Sequence, residues 1–201
     1  MTGAETPGAD AGLRRVVLVV AGLNLAYFGV EFSVALAIGS VALFADSVDF
    51  LEDAAINLLI ALALAWSLQS RARLGQLLAL LLLVPGLATL WMAWHKFNLP
   101  APPDPVWLTL AGGGALVVNL GCAALLLRYR GHSGSLTKAA YLSARNDALA
   151  NLAIIAAGGL TFWLASAWPD WVVGAGIAAL NADAAVDVWR AARSEQLEAR
   201  A

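Results

Sequence analysis

Long apolar runs, separated by short polar breaks, make up most of the sequence. A membrane-spanning helix needs about 20 apolar residues in a row, and six segments of the chain come close to that length or exceed it. The breaks contain glycine, serine and proline, which are typical of turns. The pattern therefore predicts an all-α fold, a six-span transmembrane helical bundle. The predicted spans are residues 16–38, 41–66, 74–94, 106–127, 136–162 and 171–189.

Basic residues are concentrated at one set of span ends, which we call the basic end. It holds ten of the twelve Lys and Arg residues. Cytoplasmic loops of membrane proteins carry the excess of Lys and Arg, so we expect both termini to be cytoplasmic. The chain is then a multi-pass protein of the cell membrane, which is the inner membrane if the source is bacterial. The ten residues are Arg14, Arg15, Arg71, Arg73, Arg128, Arg130, Lys138, Arg190, Arg193 and Arg200.

Composition supports a membrane protein and argues against a soluble domain. Of the 201 residues, 61% are hydrophobic and 13% are charged, whereas soluble domains carry about 25% charged residues. We expect one transmembrane domain over residues 14–190, a disordered cytoplasmic tail at 1–13 and a short cytoplasmic tail at 191–201. A cleaved signal peptide at the first span is disfavoured, because Asn24 and Glu31 interrupt its apolar run. Lipid is the expected surrounding partner, and nucleic acid is not expected.

Four carboxyl groups interrupt the second predicted span, in the stretch FADSVDFLEDAAINL (residues 44–58). Asp46, Asp49 and Asp53 are spaced i, i+3, i+7, so they share one stripe of a helix. Glu52 lies about 100° from this stripe around the helix axis. A charge at the bilayer centre costs about 2.5–3.5 kcal/mol on insertion scales, and like charges on one stripe repel. The stripe is therefore expected to face a cavity that receives a cation.

The fifth predicted span offers matching chemistry. Ser143 and Asp147 are four residues apart and lie on one helix face. At the helical rise per residue, Asp147 lies roughly 16 Å from the basic end, while Asp49 and Asp53 lie roughly 12 and 18 Å from the opposite end. Three carboxylates from two antiparallel helices should therefore meet near the midplane. Their oxygens suit a divalent cation, and zinc accepts Asp ligands as well.

Three stretches resemble the cation diffusion facilitator family. One runs from Asn24 through Glu31 and SVALFAD to Asp53; the others are AAYLSARNDALAN in the fifth span and WPDWVVGAGIAAL in the sixth. The resemblance covers roughly residues 13–195. It implies efflux of a divalent metal cation from the cytoplasm in exchange for H⁺, usually by a homodimer. Zn²⁺ is the first expected substrate, and Co²⁺, Cd²⁺ or Mn²⁺ are the others.

The resemblance also implies a four-residue transport site, two residues from the second span and two from the fifth. Family members usually carry His or Asp where this chain has Ser143. Because serine is a poor zinc ligand, the expected site is richer in oxygen than a zinc-selective one. Asp46 and Asn146 are further candidate ligands that would complete the shell. The implied ligands are Asp49, Asp53, Ser143 and Asp147.

A second departure from the family lies at the end of the chain. Only residues 190–201 follow the sixth predicted span, so we expect no cytoplasmic metal-sensing domain. Dimerisation would then depend on the membrane helices.

The remaining polar groups of the spans have structural interpretations first. Arg145 is expected to form a salt bridge with Glu52 or Asp46, and Asn24 and Glu31 are expected to hydrogen-bond to neighbouring helices. The roles of Asp183 and Asp187 on the sixth span stay open. The single Cys122, in an apolar run, is expected to be a small core residue.

Enzymatic functions find little support in the sequence. It has no Gly-rich phosphate loop and only one cysteine. An intramembrane aspartyl protease is disfavoured, because Asp49 and Asp53 lie four residues apart on one helix rather than in Gly-flanked motifs. The alternative that stays open is a non-transporting relative, a membrane metal sensor or partner subunit with a degraded site. Ser143 is the residue that favours this alternative.

Overall fold

The protein is helical throughout the part of the chain that the structure describes. The computed structural model describes the backbone of residues 7–63, 87, 89–96, 101–129 and 134–180, and the side chains of these residues except 7–10, 63, 134–143 and 145. Within these ranges there are six helical segments and no strand, which confirms the all-α prediction. The helices are α1 (Pro7–Ile38), α2 (Val41–Ala63), α3 (residues 89–96), α4 (Pro105–Leu127), α5 (Gly134–Leu164) and α6 (residues 168–180).

Three of the described helices are long and apolar enough to cross a membrane, over Ala11–Ile38, Pro105–Leu127 and Asn146–Leu164. Helix α2 has the same length as α4, 23 residues, but its four carboxyl groups make it less apolar. Six spans and cytoplasmic termini stay predictions. Parts of the third and sixth predicted spans, with Asp183 and Asp187, lie outside the described residues.

Helix α1 begins earlier than the sequence predicts. It starts at Pro7, within the segment expected to be a disordered tail, and proline is favoured at the first position of a helix. Leu13 is only 2% exposed and packs in one core cluster with Leu126 of α4. A Cβ at Gly12 would lie 3.0 Å from the Tyr129 hydroxyl. Contacts with the end of α4 therefore account for the helical conformation of residues that carry no strong apolar pattern.

Two antiparallel helix pairs form the bundle. Helix α1 packs along α2, α4 packs along α5, and contacts of α1 with α4 and of α2 with α5 join the pairs. The turn between α1 and α2 needs Gly39, whose φ of 66° lies in the left-handed region that favours glycine. This turn lies at the end of the bundle opposite the basic end.

Two apolar clusters enclose a layer of buried polar residues. The basic-end cluster contains Leu13, Val17, Val20, Ile60, Ala61, Cys122, Ala123, Leu126 and Ala144. The opposite-end cluster contains Ala35, Ala42, Leu43, Phe44, Ala45, Leu108, Ala111, Ile154 and Ile177. Along each of the four bundle helices, buried polar side chains fall between the two clusters. Six of them we call the polar layer: Asn24, Glu31, Asp46, Asp53, Asn119 and Asn151, each at most 4% exposed.

Asp170, at the start of α6, holds the beginning of α2. Its carboxylate accepts hydrogen bonds from Ser40 Oγ at 2.5 Å, from the Val41 backbone N–H at 2.8 Å and from the Ala42 N–H at 3.2 Å. The first N–H groups of a helix have no partner within the helix, so a carboxylate from another helix supplies the cap. Asp170 is fully buried. Helix α6 is thereby fixed to the helix that carries the acidic stripe.

Asp170→Ala should destabilise the protein by at least about 2 kcal/mol, because it leaves a buried hydroxyl and two buried N–H groups without an acceptor. The matched control is Asp104→Ala. The exposed Asp104 carboxylate caps α4 at 2.9 and 3.1 Å from two N–H groups, and losing such a cap costs about 1 kcal/mol. Unfolding of the purified protein in mild detergent, titrated with a denaturing detergent and followed by circular dichroism, measures both losses. Equal losses would contradict the interhelical role of Asp170.

Candidate metal site

Contacts between aromatic rings set the register between α1 and α2. The Phe32 and Phe44 ring centroids are 5.3 Å apart, and those of Tyr27 and Phe50 are 5.0 Å apart. Tyr27 is held further by its hydroxyl, which donates to the Ala111 carbonyl of α4 at 2.6 Å. The two helices are therefore antiparallel: going from Phe32 to Tyr27 along α1 corresponds to going from Phe44 to Phe50 along α2.

Glu31 and Asp46 form a carboxyl pair within this register. Both side chains are fully buried, and the Asp46 carboxyl lies within hydrogen-bonding reach of Glu31. Among the described residues, no N–H or O–H group donates to either Glu31 oxygen. Two carboxylates have no proton to share, so this pair can form a hydrogen bond only when one of them is protonated. The expected hydrogen bond from Glu31 to a neighbouring helix therefore stays a prediction, with Asp46 of α2 as its partner in the protonated pair.

Two asparagines extend this pair across the bundle. Asn151 Nδ2 of α5 donates to Asp46 Oδ2 at 2.6 Å, and Asn119 Nδ2 of α4 donates to Asn151 Oδ1 at 3.0 Å. The row of side chains Glu31, Asp46, Asn151 and Asn119 thus connects α1, α2, α5 and α4 in turn. Asp46 Oδ2 accepts the Asn151 hydrogen bond, whereas Asp46 Oδ1 has no hydrogen-bond partner in the described part of the protein.

A second carboxyl pair joins α2 to α5. The Asp147 carboxyl lies within hydrogen-bonding reach of the Asp53 carboxyl. Asp53 is 4% exposed, whereas Asp147 and Asp49 are partly exposed. Asp49 lies between Asp46 and Asp53 along α2 and interacts electrostatically with Asp147 and with Asp46. Three predicted ligands, Asp49, Asp53 and Asp147, therefore lie in one region of the bundle, and two of them are in contact.

The other predicted ligands are placed less directly. Ser143 lies one helical turn before Asp147 on α5, and its side chain is outside the described set. Asn146 lies on the exposed side of α5, away from the buried Ala144 and Ala148. Within the described ranges, no three His, Cys, Asp or Glu side chains form a group that could hold a metal ion. A shell around the Asp53–Asp147 pair needs ligands of another type or a closer approach of Asp49.

Asn151 and Asn119 were not singled out by the sequence pattern as partners of the acidic stripe. Asn151 follows Asp147 by four residues, on the face that carries Ser143, and this spacing could have indicated it. Asn119 has no comparable signal, because an isolated Asn in an apolar run does not identify its partner. The side chain of Arg145 is outside the described set, so its predicted salt bridge is not described. Among the described side chains, Glu52 Oε1 has no hydrogen-bond partner.

The geometry suits a small cation rather than a catalytic centre. Carboxyl and amide oxygens from four helices line the polar layer, and apolar clusters close it on both sides. Oxygen ligands of this kind suit divalent metals. Cys122, one turn after Asn119 on α4, is fully buried in the basic-end cluster, as the sequence predicts.

A comparison with protein families supports the same conclusion. Residues 17–195 match the cation efflux transmembrane domain, which covers most of the chain. Members of this family are cation transporters of the membrane rather than enzymes, and divalent metal cations are their substrates. A search of curated proteins finds no match. The chain therefore belongs to the cation efflux family, the cation diffusion facilitators, through its transmembrane domain.

Proposed function

We propose that this protein exports a divalent metal cation, of the Zn²⁺, Co²⁺ or Cd²⁺ type, from the cytoplasm in exchange for H⁺. The observation that carries the proposal is the contact between Asp53 and Asp147, two carboxyls from different helices beside the polar layer. Asp49 is the third acidic ligand of the proposed site, and Ser143 supplies the fourth position. In the proposed topology six spans bring both termini to the cytoplasm, so metal enters from the basic end.

A cation is the ligand that this charge distribution favours. The six side chains of the polar layer are acids and amides, whereas basic side chains such as those of Arg14 and Arg15 are exposed at the basic end. Burying like charges without a counter-ion is costly in a medium of low dielectric constant. A bound dication offsets the charge of two carboxylates, which the Asp53–Asp147 pair supplies.

Exchange with protons follows from the same charges. When the dication leaves, ionised Asp49, Asp53 and Asp147 would stand together near the midplane, where desolvation strongly disfavours them. Protons that arrive as the metal departs keep the site neutral. Metal binding requires deprotonated ligands and therefore releases protons again. The two cations replace one another at one site, which is the basis of antiport.

The identity of the metal and the assembly state are parts of the proposal with their own support. Zn²⁺ accepts Asp ligands in a tetrahedral site, whereas a site in which Ser143 replaces a nitrogen ligand also accepts harder ions such as Mn²⁺. Assembly as a homodimer rests on family membership, and the membrane helices would provide the interface. Native mass measurement in detergent or nanodiscs tests the dimer.

The alternative function is a non-transporting metal sensor or partner subunit. It is favoured by the absence, within the described ranges, of any group of three acidic, His or Cys side chains close enough to hold a metal ion. It predicts binding of metal without flux, so transport measurements separate it from the proposal.

Asp53→Asn should reduce metal flux about 10-fold or more, a typical loss when a residue that supports a metal site is changed. The substitution keeps the side-chain shape and removes the charge. Uptake of Zn²⁺, Co²⁺, Cd²⁺ and Mn²⁺ into inverted membrane vesicles measures the effect for each ion. Asp104→Asn, at the exposed cap of α4, is the control and should keep normal flux. Wild-type vesicles that take up none of the four ions would refute transport and favour the alternative.

Asp147→Asn should weaken the dependence of transport on pH. In inverted vesicles an acidic lumen should accelerate wild-type uptake, and acidifying the outer medium should slow it, because protons then compete with the metal at the cytoplasmic-facing site. The variant lacks one exchangeable proton and one ligand charge, so both responses should shrink together with metal affinity. A variant that keeps wild-type affinity and wild-type proton release would remove Asp147 from the site.

A further inference from the structure

Asn24, in the middle of α1, is a buried polar side chain without a hydrogen bond. It is fully buried, and neither its Oδ1 nor its Nδ2 has a hydrogen-bond partner among the described residues. The sequence led us to expect a bond to a neighbouring helix, and that expectation is wrong for the described part of the protein. A buried unsatisfied polar group costs about 1–3 kcal/mol, and an isosteric leucine would avoid that cost.

The hairpin register brings Asn24 to the level of Asp53. Tyr27 of α1 contacts Phe50 of α2 ring to ring. Asn24 lies three residues before Tyr27, and Asp53 lies three residues after Phe50 in the antiparallel partner. Both side chains are buried inside the bundle, at 0% and 4% exposure. Asn24 therefore lies at the same level of the bundle as Asp53, the carboxyl that contacts Asp147.

The cluster pattern supports the same placement. On α1, Asn24 follows Val20 by one helical turn, and Val20 belongs to the basic-end cluster together with Ile60 and Cys122. The Cys122 thiol in turn interacts electrostatically with Asp53 and Asp147. Asn24 thus lies at the boundary where the basic-end cluster meets the carboxyl pair, with its amide directed into the bundle.

We propose that Asn24 is a direct ligand of the transported cation, contributing its amide oxygen from α1 to a shell that also contains Asp53 and Asp147. This inference rests on the proposed function and adds a third helix to the site. The amide carbonyl oxygen is a neutral, hard ligand of the kind that divalent cations of the Mn²⁺ and Mg²⁺ class accept. It supplies an oxygen where the described acidic groups alone are too few to hold a metal. An oxygen from Asn24 would compensate for the weak ligand Ser143, which stands where the family usually has His or Asp.

The test compares Asn24→Leu with Thr161→Val in the full chain, purified in detergent. Thr161 of α5 is 2% exposed, and its hydroxyl also has no hydrogen-bond partner in the described structure, but it lies near the opposite end of the bundle. Both substitutions remove a buried unsatisfied polar group at similar volume, so neither should lower the thermal stability of the metal-free protein. Asn24→Leu should raise the Kd for Zn²⁺ and Mn²⁺ about 10-fold or more, measured by calorimetry. Thr161→Val should leave both values unchanged.

A third variant separates a ligand from a packing residue. Asn24→Asp keeps a ligating oxygen and should restore metal binding, whereas a purely structural Asn24 would give the same loss with both substitutions. Unchanged Kd values in Asn24→Leu, with normal binding by the wild type, would overturn this inference and leave the proposed function standing. A wild-type protein that binds neither ion would instead count against the proposed function itself.

Discussion

The cost of placing carboxyl groups in an apolar medium governs this structure. Four acidic side chains interrupt a helix that is otherwise apolar, and each would be strongly disfavoured on a surface that faces lipid. In the bundle, most acidic residues of α2 are buried, and an apolar cluster lies on each side of the polar layer. The amides of Asn119 and Asn151 lie in the same layer. Asn151 donates a hydrogen bond to Asp46, and Asn119 donates one to Asn151.

The acidic stripe of α2 divides into two parts with different surroundings. Asp46 accepts a hydrogen bond from the Asn151 amide and lies beside Glu31, so it joins helices of the bundle. Asp53 faces Asp147, another carboxyl, which lies on α5. Asp49 lies between them. One stripe thus supports both the cohesion of the bundle and the chemistry of the proposed site.

The positions of α2, α4 and α5 and the acidic stripe were predictable from the sequence, because runs of apolar residues and i, i+3, i+7 spacing depend on local periodicity alone. Helix α4 was predicted at 106–127 and is found at Pro105–Leu127. The start of α1 was missed, since it depends on contacts of Gly12 and Leu13 with the distant end of α4. The partners of Asp46 were missed for the same reason. A single amide in an apolar run shows that a polar contact is needed but not which helix supplies it.

The bond between Asn151 and Asp46 joins residues separated by 105 positions in the chain. A nascent polypeptide delivers helices to the membrane in order, so the hairpin of α1 and α2 is made long before α5 emerges from the ribosome. During that interval Asp46 lacks its amide partner, and Asp53 lacks Asp147. Burying these unpartnered carboxyl groups in lipid is therefore unfavourable for the early hairpin. We therefore expect its insertion to be completed only when the second helix pair arrives and supplies the partners of these two carboxyls.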